Sequence, residues 1–479
     1  MLSPVITTGT AACLPRPVTL SLLYSFRRAP ARTLLALWFI STGLHGASQA
    51  GAARPNALLS PSIERAHHEM WRRFIDEHGM VIDYTGLDGE VQRPTPDECQ
   101  DGKPNALGWW SPIENGGFFG GLYLDALCNR WRVTRAAAAA DRAKTLARGL
   151  VKLSEVGDTP GFIARGVSTD GRHHYPASSS DQTYPWFYGL WRYATSGLPD
   201  PAERAHLAAT LERVALGLEA QGWKMPCDRP GFGHFGHWSG GFAGSQGILS
   251  GAEPYFDATV RFLFVLRAVH EVTGNPRWLE LYLRHAAEKP LGSTRTRLEI
   301  CAGGVQYVAP GEPPRYPESP PIWTSASSQA GLRALRDWEG DPALRAGFQR
   351  GLDANAASAA RFISAYSQYD NENTAIFDLR WRALNDSWSP QGDISAAVKL
   401  GTLQYRAWNR QSPRKLLESH QMRDPLFAAW IVALAGNPAL TAASRADIDG
   451  ALTHYQWDRL YTCLFFMAEN VHWQLLRDG

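Results

Sequence analysis

Four times in this sequence a long apolar stretch ends in glycine, one further residue and proline, and an amphipathic stretch then begins. The four marks are Gly197-Leu198-Pro199, Gly274-Asn275-Pro276, Gly340-Asp341-Pro342 and Gly436-Asn437-Pro438. Glycine reaches the left-handed conformation that ends a helix, and proline suits the first turn of the next. Each mark therefore predicts a helix hairpin. They lie 77, 66 and 96 residues apart, too irregular for a short-repeat solenoid and right for two long helices with a variable loop. A fifth hairpin is expected to turn at Val133-Thr134, before the Ala-rich helix from Arg135 to Glu155.

Within each hairpin the first helix is the more apolar. These stretches begin near Gly116, Asp181, Tyr255, Ser327, Asp424 and Asp458, whereas second helices such as Pro201 to Ala220 carry charge on one face. Pro61 to His78 supplies a further exposed helix, so six buried and six exposed helices alternate. That alternation describes an all-α chain closed into a double ring, one domain over 53–479. The helix-like piece Ile394 to Trp408 falls outside the count and is read as part of an insertion around 368–422.

Residues 1–52 read as a targeting segment. Arg27, Arg28 and Arg32 precede the apolar run Thr33 to Leu44, and Ala50-Gly51-Ala52 offers a cleavage site. A run of twelve residues is too short to span a bilayer. The expectation is an exported protein, periplasmic or secreted, with no stable membrane anchor after cleavage. Cys99, Cys128, Cys227, Cys301 and Cys463 remain in the mature chain without C-x-x-C spacing, which argues against a zinc ribbon or disulfide scaffold and leaves one or two disulfides open. A net charge of +2 without basic runs gives no reason to expect nucleic acid. The 18 Trp, 16 Tyr and 19 Phe beside 44 Gly suit loops that present flat apolar faces, which stack on sugar rings.

The chemistry is expected to centre on Ser178 to Tyr193, SSSDQTYPWFYGLWRY. Small hydroxyl residues and Asp181 open a helix whose aromatic side chains point in every direction, so the helix is predicted to be buried. A carboxylate there is poorly solvated and is expected to titrate high, as a general acid does. The alternative is that Asp181 only caps its helix.

The alternation resembles the six-hairpin (α/α)6 toroid of many polysaccharide-active enzymes. Two motifs resemble, more narrowly, the unsaturated glucuronyl and rhamnogalacturonyl hydrolases. DQTYPWFYGLWRYA is similar to that family's D-x-M-M-N-x-P-x-L-Y-W-A in its leading Asp and aromatic helix, though not in Met-Met-Asn. Glu114 to Phe118, ENGGF, is similar to the family's H-D-x-G-F, with Asn115 in the place of its Asp, 66 residues before Asp181. The resemblance implies Asp181 as general acid/base, with Asn115 or Glu114 as its counterpart and no cofactor.

In such a toroid the loops before the inner helices line one pocket. Trp109, Trp110, Trp186, Trp238 and Trp323 would be stacking surfaces, and Glu114, Asp181, Asp257, Asp424 and Asp458 the carboxylates. Gln182 stands beside the acid, and Arg165, Arg172, His173, His174 and Tyr175 are candidates for binding a substrate carboxylate. Two carboxylates could hydrolyse a glycoside by acid and base; a single Asp could instead protonate an unsaturated uronide, a route that tolerates Asn115. The rival is a lyase using His173, His174 and Tyr175 for β-elimination, and a non-catalytic sugar-binding toroid is a further alternative. His234 and His237 are read as a substrate-lining loop, since two histidines without a third ligand do not make a zinc site. The acidic stretch Tyr369 to Ala375 is a weak calcium candidate, and no metal is expected.

Overall fold

The computed structural model describes residues 59–238, 256–290, 293–305 and 322–479. Residues 1–52, read above as a targeting segment, lie outside them, as do 239–255 and 306–321. Among the described residues the chain forms seventeen α-helices and one two-stranded antiparallel hairpin. The helices are α1 (Leu59–Glu69), α2 (Pro96–Asp101), α3 (Gly116–Thr134), α4 (Ala137–Leu153), α5 (Ser180–Ala194) and α6 (Pro201–Ala220). After β1 (Lys224–Pro226) and β2 (His234–His237) come α7 (Phe256–Thr273), α8 (Pro276–Ala287), α9 (Arg297–Gly303), α10 (Ile322–Trp338) and α11 (Pro342–Ala360). The last are α12 (Ile394–Gln411), α13 (Pro413–Glu418), α14 (Asp424–Ala435), α15 (Pro438–Ala443), α16 (Arg445–Thr453) and α17 (Met467–Asp478).

The glycine-proline marks fall where helices turn. Gly197, Gly274 and Gly436 have positive φ, and Pro276, Pro342 and Pro438 open the next helix behind an Asn or Asp whose side chain accepts from its first turn. At the first mark the helix waits two residues, because Asp200 caps it and Pro201 rather than Pro199 begins it.

The apolar helices α3, α5, α7, α10, α14 and α17 each pack against the next, and α17 packs against α3. The more exposed set covers them in turn: α4 on α3, α6 on α5 and α7, α8 on α7, α11 on α10 and α14, α16 on α14, and α1 on α17. Every residue of α5 except Asp181 is buried. Its aromatics form a continuous cluster with Phe264 and Trp338, Tyr184 and Trp191 meeting Phe264 edge-on at 5.4 Å.

The closest helix approach, α3 on α5, depends on the absence of a side chain. A Cβ on Gly121 would run into the Pro185 carbonyl, and one on Gly189 into the Gly121 backbone. Backbone cannot step aside as a flexible side chain can. Gly121→Ala is therefore expected to destabilise the protein by about 1–3 kcal/mol or more, read as a lower denaturant midpoint; an unchanged midpoint would mean the helices can separate freely.

Two expectations are corrected. The last apolar helix begins at Met467, not Asp458, because the stretch from Leu460 to Thr462, between two short 3-10 turns, is held extended: Thr85 N–H donates to Tyr461 O (3.0 Å), Cys463 N–H to Asp83 O (3.0 Å), and Glu418 accepts from the N–H groups of Tyr461 and Thr462. The first exposed helix ends by Phe74, because Ile75 pairs with Val81. The stretch read as an insertion is ordered against the rest: α12 packs under the 105–110 loop, with Gln404 accepting from Asn105 (2.9 Å) and Gly401 O from the Trp110 indole (2.9 Å). All five cysteines of the described residues are buried and free. No described helix is long and apolar enough to cross a membrane.

Candidate functional site

Asp181 lies in the first turn of α5 but does not cap it. Ser179 occupies the cap position without making a side-chain cap bond, and the Asp181 carboxylate turns instead to Arg261 of α7, 2.7 Å away. In the sequence Asp181 stands between small polar residues and an aromatic helix; the fold gives it a buried guanidinium. Arg261 also donates to Ser327 Oγ (3.2 Å). Burial works against its charge, yet Asp181 and then Asp257 outweigh burial and hold its pKa above the usual value. Asp257, one turn before Arg261, is pushed up by burial. Asp257 and Arg261, four residues apart in the apolar first half of α7, were the sequence signal that this helix carries charge inward.

The next residue, Gln182, ties α5 to the start of α3. Its side-chain Nε2 donates to Asn115 Oδ1 (2.9 Å), and its side-chain Oε1 accepts from Phe118 N–H (3.0 Å). Asn115 in turn donates from its backbone (2.8 Å) and its side chain (2.6 Å) to the two oxygens of Asp83. Burial, and after it the charge of Glu114, raise Asp83 well above the ordinary carboxylate range. Glu114 accepts from Trp110 N–H (2.8 Å), and its carbonyl accepts from Arg165 (3.2 Å). Asp83 is thus a carboxylate of the site that the sequence reading missed; nothing in VIDYTG marks it, because strand-like pairing with the C-terminal region puts it there.

Cations surround these acids. Arg165 is buried and within electrostatic range of Glu114, Asp181 and Asp83. Lys415, from the insertion, lies 4.4 Å above the Trp110 ring and within range of Glu114 and Asp83. Arg423 lies 5.9 Å from the Trp323 ring and pairs with Asp424 (2.8 Å), which burial would raise but Arg423 and His420 hold low. Burial lowers the Lys415 ammonium to about 8.

This gives a pH prediction. The unfolded lysine keeps its proton up to about 10.5 and the folded one releases it near 8, so between those values the unfolded chain binds more protons and stability rises with pH. Lys415→Met should shrink that rise, measured by denaturant unfolding at the two ends of the interval. An equal rise in the variant would assign the effect to other groups.

The other predicted residues divide. Glu114, Asn115, Asp181, Gln182, Trp109, Trp110 and Trp323 come together, the three tryptophans half-buried. Trp186 and Trp238 are core side chains, the former donating its indole N–H to Leu150 O (2.6 Å), so neither offers a ring face to a sugar. Tyr175 is fully buried and donates to Lys103 O (2.5 Å). Arg172 and His173 are exposed; His173 pairs with Asp170 (2.5 Å) and His174 with Asp228 (3.0 Å), away from Asn115. His234 is exposed and bonds to Gln221 (3.2 Å), while His237 is half-buried; burial and then Lys224 lower both. Their strand lies close to the site all the same, since Gly236 backs onto Ser180 and Phe235 meets Trp109 at 6.0 Å. Asp458 lines a surface pocket beside α1 with Glu64, Arg65 and His68 and does not join the other acids. A second pocket, bounded by Lys144, Arg148, Glu203 and His206, lies between α4 and α6 and holds none of these residues. Among the described residues no three His, Cys, Asp or Glu side chains are placed to share a metal ion.

Comparison with protein-family models, with curated proteins and with solved structures finds no match in any of the three.

Proposed function

We propose that the chain is a carbohydrate-active enzyme built on an (α/α)6 toroid. The unbroken cycle of helix neighbours, α3 through α17 and back to α3, supports that architecture. Within the class, we read it as an exported glycoside hydrolase for uronic-acid-containing oligosaccharides, of the unsaturated glucuronyl hydrolase type, with Asp181 as general acid/base. One observation carries the reading: Asp181, the single residue of α5 that is not buried, is joined through Gln182 to Asn115 and Asp83, among half-buried tryptophans and the cations Arg165, Lys415 and Arg423. Aromatic faces suit a sugar ring, and cations suit its carboxylate.

In this mechanism Asp181 gives its proton to C4 of the substrate's C4–C5 double bond. Water adds to C5 and returns a proton to Asp181. The C5 hemiketal opens to a ketone, and C1, left as a hemiacetal, sheds the attached sugar as an alcohol. The Asp181–Arg261 salt bridge favours a second reading, in which Asp181 is the base that activates water and Glu114 the acid that protonates the leaving oxygen. The β-elimination reading has less support, because His173, His174 and Tyr175 are engaged elsewhere.

Ultraviolet absorbance of the conjugated double bond tests all of these. It should fall when the protein meets unsaturated uronide oligosaccharides. A rise on intact acidic polysaccharide would instead mean β-elimination. No change with either, together with new reducing ends, would favour the two-carboxylate route, and no change without them a sugar-binding protein.

A further inference from the structure

The insertion adds a residue to the site that neither the hairpin pattern nor the family motifs include. Lys415 lies over the Trp110 ring at 4.4 Å and within 5.9 Å of the Trp408 ring, and it is half-buried. Among the described residues its ammonium makes no salt bridge and no hydrogen bond, although Glu114 and Asp83 lie within electrostatic range. An ammonium that no protein acceptor claims keeps its N–H donors for water or for a bound anion.

Its platform is held with unusual firmness. Trp110 adopts φ 72°, a conformation that bulky residues avoid. Three bonds keep it there: its N–H donates to Glu114 (2.8 Å), its indole donates to Gly401 O (2.9 Å), and its carbonyl accepts from the Tyr84 hydroxyl (2.7 Å). Backbone strain of this kind persists where the surroundings over-determine it, and ligand clamps are one such place.

We propose that Lys415, seated on Trp110, binds the anionic substituent of a hexose, so that the insertion supplies the site's selectivity for acidic over neutral sugars. This rests on the reading of the site as one for acidic oligosaccharides, and it deepens that reading by naming the group that recognises the charge. Three free N–H donors suit either a carboxylate or a sulfate ester. Trp110 fixes where the ammonium sits, and Glu114, which accepts from the Trp110 backbone, ties that platform to the rest of the site.

The test uses the mature chain with D-glucuronate, glucose 6-sulfate and D-glucose as probes, binding being read by ligand-observed NMR titration. Wild type should bind at least one anionic sugar about tenfold or more tighter than glucose. Lys415→Met, which keeps the stem on the indole, should lose that preference and leave glucose binding unchanged. The two anionic arms decide between carboxylate and sulfate. A preference retained in the variant, or no binding of any anionic sugar by wild type, overturns the proposal. A second measurement needs no variant: glucuronate or glucose 6-sulfate should protect Lys415 from amine acetylation, followed by peptide mass spectrometry, and glucose should not. Absence of protection by both anions also overturns it. If the Lys415-dependent preference is present but no uronide is turned over, the hydrolase reading fails and the subsite stands. If uronides are turned over equally by wild type and Lys415→Met, the subsite fails and the hydrolase reading stands.

Discussion

Asp181→Asn is expected to lower kcat/KM on an unsaturated uronide by about 10²–10⁴-fold, the range that one positioned acid/base supplies, while the chain stays folded. The substitution keeps the shape and removes the proton-transfer function. It also removes a partner from Arg261, which is almost fully buried. That loss is shared, because Asp257 lies within range of the same guanidinium, and Ser327 Oγ still accepts from it. The melting temperature should therefore fall modestly and activity steeply. The absorbance assay together with thermal melting separates the two effects. Retention of most activity would take Asp181 out of the mechanism, and Glu114 and Asp83 would then be the next carboxylates to substitute.

The largest loss of stability is expected at a site with no catalytic role. Asp125 of α3 is wholly buried and accepts from the Arg192 guanidinium of α5, which also donates to Asn129 Oδ1 (2.6 Å). Burial opposes the charge on Arg192, and Asp125 outweighs it, holding the pKa above the usual value. Asp125→Ala leaves that guanidinium buried without a counter-charge, which is expected to cost about 3–5 kcal/mol. Asp125→Ala with Arg192→Met removes both charges and should be more stable than Asp125→Ala alone. Denaturant unfolding of the two variants decides the matter. A double variant no better than the single one would show that the loss lies in packing, not in an unpaired charge.

Much of the helical scheme was legible. Gly-x-Pro marks read as hairpins because helix ends are set by local chemistry: a residue that takes positive φ, a side chain that caps, and a proline that has no N–H to give. The burial of α5 followed from its aromatic residues lying on every side. The start of the last apolar helix was not legible, because Glu418 and Asp83, both far away in sequence, hold the Tyr461–Cys463 backbone in another conformation.

The site was legible by halves. Asp181, Glu114, Asn115 and Gln182 stand at helix starts, which sequence marks well. Trp186 and Trp238 looked like stacking surfaces because composition counts aromatics without saying which are covered. His173 and His174 looked available because their partners, Asp170 and Asp228, are ordinary surface acids until the loop closes on them. Asp83 and Lys415 carried no local mark at all.

The sequence by itself determined where most of the hairpins turn, which helices are apolar, and which acids stand at several of their starts. Those properties depend on neighbours a few residues away. Tertiary structure alone decided which charges meet: Arg261 with Asp181, Asn115 with Asp83, and Lys415 with the Trp110 ring. A charge is held by whatever lies within a few ångströms of it, and in this chain that partner is 32 to 305 residues distant.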